Sequence, residues 1–280
     1  MSPAPRTTGR TATYALLGHP VARSRSPALH GALFAAAGID AVYVCMDIDP
    51  TAAEDAIRAV RTLGLAGVNL TVPLKESVLP HLDGVTPTAA VAGAVNTLFW
   101  DGSRLMGDNT DGAGLLDAVH EAGGRWDAPA VVLGAGGSAR AVAAALLADG
   151  CPRVTLLNRT QDRAEAVAVS LGCEAGGLTP GDFSHAAEDA ILVVNCTGGG
   201  ARGMVEALPL STVRPHTIWV DANYWMSDPP RRAECEARGL GFLTGHGMLL
   251  HQGVRAWRRW TGLHPGAGAI RIAREAIEAP

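Results

Sequence analysis

The stretch that decides the fold is Ala130-Val131-Val132-Leu133-Gly134-Ala135-Gly136-Gly137-Ser138-Ala139. Its first four residues are apolar and predict a buried strand, and the glycine-rich turn that follows leads into an Ala-rich helical pattern. In such a unit, glycines let the backbone approach a pyrophosphate, and the helix start offers unpaired N–H groups. The stretch therefore predicts a dinucleotide-binding α/β unit. The alternative is a tight turn that needs glycine for its own geometry.

On both sides of this stretch the chain alternates short β-rich runs with helical patterns, which is typical of α/β proteins. Downstream, the pattern predicts a helix at 160–171, helices towards the C-terminus, and strands at 154–157, 191–194 and 217–220. Upstream, it predicts strands at 14–17, 41–46, 67–70 and 95–100. The spacing of Thr51 and Glu54 is that of a capping box, which predicts a helix that begins at Thr51. A helix at 111–122 connects the two series, so we expect two domains.

Composition and charge exclude several classes of protein. Hydrophobic residues make up 48% of the 280 residues, which is ample for a core and argues against a disordered chain. The formal net charge of −4 gives no electrostatic reason to expect a nucleic-acid partner. No apolar run approaches the ~18 residues of a membrane span, and the first residues lack the apolar core of a signal peptide. We expect a soluble, cytoplasmic protein with no membrane partner.

Cysteine and histidine usage argues against a metal site. The five cysteines are scattered and never spaced C-x-x-C, and the nine histidines include no H-E-x-x-H motif. We therefore expect neither a disulfide framework nor a bound metal. Cys196 alone lies beside the predicted ligand site, and the other four cysteines are expected to pack as small apolar residues.

One basic residue differs from all the others. The chain has 23 Lys and Arg residues, and Lys75 is the single lysine among them. Such a chain has accepted arginine wherever only charge or length mattered. An amine, unlike a guanidinium, loses its proton readily when it is desolvated. Retention by chance is the alternative, but Lys75 is the first candidate for proton-transfer chemistry.

The end of the strand at 154–157 indicates which dinucleotide binds. NAD enzymes usually carry an acidic residue there, which holds the ribose 2′-hydroxyl. Here the strand ends in Asn158-Arg159-Thr160, and Arg163 follows one turn later. Two guanidiniums suit a 2′-phosphate, which a carboxylate would repel. The sequence therefore predicts NADP, and the alternative is that these residues form only the solvated start of a helix.

The upstream series carries polar side chains at strand ends, where open α/β sheets bind ligands. Ser24 and Ser26 follow the first strand two positions apart, so both hydroxyls could face one side. The remaining candidates are Asn69, Thr71 and Lys75 after the third strand, Asn96 in the fourth, and Asp111 before the connecting helix. Each alone is ordinary in a cap or turn. Together they predict a pocket of hydroxyls and amides with one amine and one carboxylate, which suits a polyhydroxylated cyclic acid.

These motifs occur in an order that resembles the shikimate dehydrogenase family nearly from end to end. The matching stretches are 18–27, 69–75, 93–97, 107–112, 134–139, 158–160 and 245–249, followed by Gln252. The resemblance implies an α/β fold with an open α/β substrate domain, residues 1–109 with 244–280, and a Rossmann-like NADP-binding domain, residues 110–243. The C-terminal helices would pack back on the first domain, and a cleft would separate the domains.

The resemblance also implies a reaction and roles for single residues. It implies NADP-dependent interconversion of 3-dehydroshikimate and shikimate, in a monomer or homodimer. Lys75 and Asp111 would be the catalytic pair, and Ser24 and Ser26 would bind the substrate carboxylate. The substrate ring would be lined by Asn69, Thr71, Asn96, Tyr224 and Gln252. Thr197, Gly245 and Met248 would join the cofactor-binding residues at 134–139, at 158–160 and at Arg163.

Several positions depart from the family pattern and leave the substrate open. Arg23 stands where histidine is usual, residues 196–200 replace a stretch that typically carries serines, and 221–228 keeps Asp221 and Tyr224 but has Asp228 where threonine is common. A quinate or aminoshikimate dehydrogenase is therefore an alternative. A dinucleotide-binding sensor without catalysis is another, although a sensor needs no Lys–Asp pair. The glycine run at 198–200 is either a mobile lid or an ordinary loop.

Overall fold

The computed structural model describes residues 7–225, Pro229 and 231–279 of the chain. It divides into two compact units, of which unit 1 comprises Met1–Thr110 with Leu249–Pro280 and unit 2 comprises Asp111–Met248. The departures from the family pattern at Met226 and Asp228 lie outside the described residues.

Unit 1 is built on a six-stranded mixed sheet. Its strands are β1 (Ala12–Gly18), β2 (Ala41–Asp47), β3 (Gly67–Leu70), β4 (Gly84–Val85), β5 (Thr97–Asp101) and β6 (Arg104–Asp108). Its first helices are α1 (Ser26–Ala36), α2 (Ala53–Thr62), α3 (Leu74–Ser77) and α4 (Pro87–Ala92). The sheet order is β2-β1-β3-β5-β6-β4, with β1 parallel to β2 and β3, and β5 antiparallel to β3 and β6. All four residues of β3 are buried, which explains why this run is almost entirely apolar.

Unit 2 is built on a six-stranded parallel sheet. Its strands are β7 (Ala130–Leu133), β8 (Val154–Asn158), β9 (Glu174–Gly177), β10 (Leu192–Asn195), β11 (Ile218–Asp221) and β12 (Gly241–Thr244). Its helices are α5 (Asp111–Glu121), α6 (Gly137–Ala148), α7 (Gln161–Leu171), α8 (Pro180–Ala187), α9 (Arg202–Glu206) and α10 (Arg231–Ala237). The order β12-β11-β10-β7-β8-β9 is that of a doubly wound dinucleotide-binding fold, in which the strand order reverses between β7 and β10.

The C-terminal helices complete unit 1. Helix α11 (Gly245–Thr261) begins in unit 2 and continues into unit 1, and α12 (Ala267–Glu278) packs against α1. The Trp260 side chain of α11 donates a hydrogen bond to the carbonyl oxygen of Leu98 in β5 at 2.9 Å. A Cβ at Gly253 would lie 2.9 Å from the Leu29 side chain, so α11 also packs closely on α1. The predicted α/β fold class, with C-terminal helices packed on the first sheet and its helices, is confirmed.

The structure differs from the sequence pattern at several strands and at one helix start. The pattern does not predict β4, β9 or β12; β9 and β12 are edge strands bound on one side, and β9 reads Glu-Ala-Gly-Gly. The capping box is wrong: the Thr51 hydroxyl donates to Asp49 at 2.6 Å, and α2 follows Ala52, which makes no side-chain cap. Strand β5 begins two residues later than predicted, because the N–H of Val95 donates to the carbonyl oxygen of Lys75 at 2.8 Å.

Close packing of α5 on α6 depends on Gly112. A Cβ at this position would lie 2.2 Å from the carbonyl oxygen of Ala141, a backbone atom that no side-chain rotation can move away. We expect Gly112→Ala to lower the free energy of unfolding by about 1–3 kcal/mol, measured by urea denaturation. Gly203→Ala in α9 is the control, because its Cβ would meet nothing within 4 Å. Equal stabilities of the two variants would contradict this account of the packing.

Candidate active site

Asn69 and Asn96 are neighbours at the carboxyl end of β3, in the middle of the unit 1 sheet. Because β3 and β5 are antiparallel, the start of β5 lies beside the end of β3. The Asn69 Oδ1 accepts a hydrogen bond from the Tyr43 hydroxyl at 2.8 Å, and its Nδ2 donates to the carbonyl oxygen of Asn96 at 3.0 Å and to the Thr97 hydroxyl at 3.1 Å. Asn69 is only 4% exposed, so this amide joins β2, β3 and the residue before β5.

Hydrogen bonds connect the Asn96 carboxamide to helix α11. Its Oδ1 accepts from the Thr110 N–H at 2.9 Å, and its Nδ2 donates to the Thr110 hydroxyl oxygen at 2.9 Å and to Gln252 Oε1 at 3.3 Å. The Thr110 hydroxyl also lies 3.1 Å from the carbonyl oxygen of Gln252. The structure therefore brings together Asn96 and Gln252, which are 156 positions apart, and adds Thr110, for which the sequence predicts no role.

Thr71 and Lys75 both follow β3, Thr71 in the turn and Lys75 in the short helix α3. The Thr71 N–H donates to the carbonyl oxygen of Leu17 in β1 at 2.9 Å. A Cβ at Gly18 would lie 2.3 Å from the Thr71 methyl group, so the turns after β1 and β3 are in direct contact. Lys75, in α3, is 9% exposed. An ammonium with so little access to water is stabilised by protein partners or by a ligand.

Ser24 and Ser26 lie at the start of α1. Ser26 is the first residue of the helix, and its N–H donates to the Ser24 hydroxyl oxygen at 3.2 Å. Ser24 also contacts the Cys45 thiol, whose pKa is raised by burial and partly lowered by this hydrogen bond. The N–H groups and positive dipole end of a helix start favour an anion, and the carboxylate-binding role of both serines stays a prediction.

Behind Asn69, the buried side chain of His30 forms part of an aromatic cluster. Its ring stacks on Tyr43 with centroids 4.4 Å apart, and the Trp260 ring lies 5.1 Å away. His30 is 0% exposed, and burial lowers its pKa from 6.5 to about 3, despite a smaller opposite effect of Asn69. Between these two pH values the unfolded chain binds the proton and the folded chain does not, so lowering the pH favours unfolding.

This histidine predicts a pH-dependent stability. As the pH falls below 6.5, we expect His30 to lower the free energy of unfolding by about 1.4 kcal/mol for each pH unit. In His30→Phe, the loss of stability between about pH 7 and pH 5 should be smaller by about 2 kcal/mol, measured by urea unfolding. His185→Gln, at an exposed position, is the control. An unchanged pH dependence in His30→Phe would refute this assignment.

In unit 2, Asp111 is the first residue of α5, where a carboxylate is favoured by the helix dipole. It is 4% exposed and accepts a hydrogen bond from the Ser138 hydroxyl at 3.1 Å. Ser138 belongs to the glycine turn and is the second residue of α6. The candidate catalytic carboxylate is therefore held directly by the candidate cofactor-binding turn.

The glycine turn has the geometry of a phosphate-binding backbone. Gly134 has a φ of +114°, which strongly favours glycine, and a Cβ there would lie 3.3 Å from the carbonyl oxygen of Cys196. Gly136 is extended and α6 begins at Gly137, whereas the methyl groups of Ala135 and Ala139 pack into the core. The turn lies where the strand order reverses, which is where doubly wound sheets bind ligands. Its backbone N–H groups, rather than its alanine side chains, are therefore the candidate binding groups.

The predicted 2′-phosphate residues lie together at the start of α7. Asn158 ends β8, and its Nδ2 donates to the carbonyl oxygen of Thr160 at 2.9 Å. Thr160 in turn accepts the Arg163 N–H at 3.1 Å. Arg159 and Arg163 are both exposed, and Arg159 Nη1 donates to the carbonyl oxygen of Gly200 at 3.3 Å. Two cationic groups thus lie within one turn of each other at the end of β8.

Three further cofactor candidates occupy different environments. The Thr197 N–H and hydroxyl both donate to Asn195 Oδ1, at 3.1 and 2.7 Å. A Cβ at Gly245 would lie 2.2 Å from the carbonyl oxygen of Ala222, so close backbone packing requires this glycine. The Met248 side chain is 7% exposed and belongs to the hydrophobic core of unit 2, so packing alone accounts for an apolar residue at this position.

Tyr224 and the glycine run lie on loops of unit 2. Tyr224 is half-buried, with its ring 5.8 Å from Trp225 and 6.0 Å from His246. Three residues earlier in the chain, burial raises the pKa of Asp221, and hydrogen bonds from Asn223 oppose this shift. Gly199–Ala201 forms a short 3-10 turn, and a Cβ at Gly198 or Gly199 would meet nothing within 4 Å. A side chain would therefore fit at those two positions in this conformation.

The described residues, 7–225, 229 and 231–279, contain no group of three or more His, Cys, Asp and Glu side chains that could hold a metal ion. Within the same ranges, no helix is both long and apolar enough to cross a membrane. The five cysteines all lie in these ranges and none forms a disulfide, and burial raises the pKa of Cys173 and of Cys235 to about 11.

Three family models match successive parts of the chain. The shikimate dehydrogenase substrate binding domain matches residues 16–98. The shikimate / quinate 5-dehydrogenase model matches residues 118–215, and the shikimate 5′-dehydrogenase C-terminal domain matches residues 245–271.

Known relatives match nearly the whole chain. A shikimate dehydrogenase (NADP(+)) of Symbiobacterium thermophilum is 44% identical over 269 residues, which is 92% of each chain. The Rhodospirillum rubrum protein of the same name is 43% identical over 276 residues, covering 95% of this chain and 98% of its own. The structure of shikimate 5-dehydrogenase from Thermus thermophilus, in complex with NADP(H) and shikimate, has a TM-score of 0.82, 40% identity, and coverage of 95% of this chain and 99% of its own. With this identity over almost its full length, the chain belongs to the shikimate dehydrogenase family.

Proposed function

We propose that this protein is an NADP-dependent shikimate dehydrogenase that interconverts 3-dehydroshikimate and shikimate. The observation that carries the proposal is the polar cluster at the end of β3 and the start of β5, where Asn96, Thr110 and Gln252 are joined by hydrogen bonds. The Val95 N–H, one residue before Asn96, donates to the carbonyl oxygen of Lys75, the only lysine of the chain, at 2.8 Å. Relatives more than 40% identical are named for this activity. A ring with several hydroxyls and a carboxylate needs this combination of amides, hydroxyls and a helix start.

The residues of unit 2 fit NADP. The Gly134 N–H donates to the carbonyl oxygen of Leu157, so the backbone N–H groups of residues 135–137 are the ones proposed to bind the pyrophosphate. The Ala135 methyl group packs into the core, and the turn lies at the reversal of strand order. Arg159 and Arg163 would hold the 2′-phosphate, and Asn158 and Thr160 would shape the turn that carries them. Thr197, Gly245 and the backbone of Met248 would bind nearer the nicotinamide. When bound, NADP(H) supplies or accepts the hydride.

Lys75 and Asp111 are proposed to exchange the proton that accompanies hydride transfer. Reduction of a ketone needs a proton on oxygen, and a positioned Lys–Asp couple can give or take it. The ammonium of Lys75 also stabilises negative charge that develops on that oxygen. Lys75 is 9% exposed and Asp111 is 4% exposed, so each side chain is largely shielded from bulk water. We assign the proton to the couple rather than to either member.

The remaining roles follow the polar groups of the two units. Ser24 and Ser26 bind the carboxylate, and Asn69, Thr71, Asn96, Tyr224 and Gln252 bind or border the ring. In this proposal substrate binding belongs to residues 1–109 with 244–280, and cofactor binding belongs to residues 110–243. The enzyme acts in the cytoplasm as a monomer or homodimer, on a small diffusible acid, without nucleic-acid or membrane partners.

A substrate panel tests this function and its nearest alternative. Arg23 adjoins Ser24 and stands where histidine is usual in the family, so the residue beside the proposed carboxylate site differs from the family pattern. This difference favours a quinate or aminoshikimate dehydrogenase as the second candidate. We expect NADP⁺ reduction, followed by nicotinamide absorbance, to give a kcat/KM for shikimate at least about tenfold above quinate and aminoshikimate, a difference of about 1.4 kcal/mol. A reversed preference supports the second candidate, and no turnover with any of the three supports a non-catalytic sensor.

A further inference from the structure

A buried carboxylate in unit 1 ties helix α11 to the end of β6. Asp108 Oδ2 accepts hydrogen bonds from Arg259 Nε at 3.0 Å and from Arg259 Nη2 at 2.6 Å. Asp108 Oδ1 accepts from the Thr86 hydroxyl at 2.6 Å and from the Asn109 N–H at 2.8 Å. The Asp108 side chain is only 8% exposed, and the Arg259 guanidinium also lies over the Phe99 ring at 4.9 Å. Four donors, two of them charged, fix this carboxylate.

Helix α11, which carries Arg259, also carries Gln252, one of the residues proposed to bind the substrate ring. Arg259 and Gln252 are seven residues apart in α11, which is about two helical turns, so both lie on one face. That face directs Arg259 to Asp108 and Gln252 Oε1 to Asn96 Nδ2, at 3.3 Å. Holding Arg259 in place therefore also fixes the height and rotation of α11 at Gln252.

Asp108, the member of the ion pair at the end of β6, lies next to residues that hold Asn96. The carbonyl oxygen of Asp108 accepts the Asn96 N–H at 3.0 Å. Two residues later, the Thr110 N–H and hydroxyl bind the Asn96 carboxamide, both at 2.9 Å. The backbone and side chain of Asn96 are therefore both held by residues 108–110, whose own position depends on the Asp108 carboxylate.

We propose that Asp108 and Arg259 are positioning residues for the substrate ring, which they serve by locking α11 to β6 so that Asn96 and Gln252 keep one arrangement. The inference rests on the proposed function, because it acts through two residues assigned there to the substrate. Without Arg259, whose side chain is 45% exposed, the carboxylate would keep Thr86 and Asn109 as donors and would lose its charged partner. A carboxylate that has lost its charged partner costs free energy unless water reaches it, so residues 108–110 would shift towards water.

Kinetic constants of Arg259 variants test this inference. Arg259→Met keeps an apolar stem over Phe99 but removes every donor, so we expect KM for shikimate to rise about tenfold while KM for NADP⁺ changes less than about twofold. Arg259→Lys keeps the charge without the paired Nε and Nη2 donors that both reach Asp108 Oδ2, and should give an intermediate KM. Arg258→Met is the matched control on the same helix, because Arg258 is exposed and its guanidinium lies 3.4 Å from His264 rather than on Asp108.

A double-mutant cycle separates positioning from stability. In Asp108→Asn the buried charge is gone, so adding Arg259→Met should raise KM for shikimate by less than about threefold. Urea unfolding is measured on each variant alongside the kinetics. A lower stability with unchanged KM for shikimate overturns the inference, and so does an equal rise in both KM values.

The proposed function and this inference fail in different ways. If the wild-type enzyme prefers another cyclic acid, KM for that acid is compared across the same variants. If the wild type turns over none of them, the proposed function fails, and equilibrium dialysis of shikimate then tests the inference. Equal dissociation constants for the wild type and Arg259→Met overturn it, and an increase of about tenfold supports it.

Discussion

Lys75→Ala is expected to lower kcat for shikimate oxidation by about 10²–10⁴-fold, the usual contribution of a general acid or base. The affinity for NADP⁺ should change less than about twofold, because Lys75 lies in unit 1 and the proposed cofactor-binding residues lie in unit 2. The effect is large because the chain contains no other lysine that could replace this amine. Initial rates followed by nicotinamide absorbance and NADP⁺ titration measure the two quantities.

A second substitution separates proton transfer from charge. Lys75→Arg keeps the positive charge but cannot release a proton at neutral pH, so its kcat should remain far below that of the wild type. Ser77→Ala, at an exposed position in α3, controls for disturbance of the helix and should leave kcat unchanged. Wild-type turnover in Lys75→Ala would end the assignment of Lys75 as a catalytic residue.

The double variant Arg159→Asp with Arg163→Ala should change the cofactor preference. It removes two charged donors from the proposed 2′-phosphate site, each worth about 1.5–3 kcal/mol, and supplies a carboxylate that can hold a ribose hydroxyl. We expect the ratio of kcat/KM for NADP⁺ to that for NAD⁺ to fall by about 10²–10⁴-fold. The measurement is the same absorbance assay with each cofactor varied at saturating shikimate.

Arg202→Ala provides the control for this cofactor test. Arg202 is an exposed arginine of the same unit, and its side chain pairs with Glu206 at 2.7 Å. Its removal should leave the NADP⁺ to NAD⁺ ratio unchanged. Equal losses for both cofactors in the Arg159 and Arg163 variant would contradict the assignment of these arginines to the 2′-phosphate.

Local sequence signals predicted the central strands and the family correctly. The strands β7, β8, β10 and β11 are short apolar runs in the middle of the parallel sheet, where burial on both faces demands such residues. Asp111 begins α5 as predicted, and the match to shikimate dehydrogenases is confirmed by relatives at 44 and 43% identity. The prediction of NADP agrees with the cofactor in those relatives' names.

Features that depend on distant partners could not be predicted. Strands β9 and β12 lie at sheet edges, and neither forms a long apolar run. The bond between Asp108 and Arg259 joins residues 151 positions apart, and a single sequence carries no sign that they meet. Thr51 illustrates competition at close range, because its hydroxyl binds Asp49 in the preceding turn instead of capping α2.

The central claim is that Lys75 and Asp111 act as one proton-transfer unit, and a double-mutant cycle on kcat tests it most directly. If the claim is correct, Lys75→Ala, Asp111→Asn and the double variant should all lose about the same 10²–10⁴-fold in kcat, because removing either member already disables the pair. If the two single losses multiply in the double variant, the residues act independently, and the proposed mechanism is wrong.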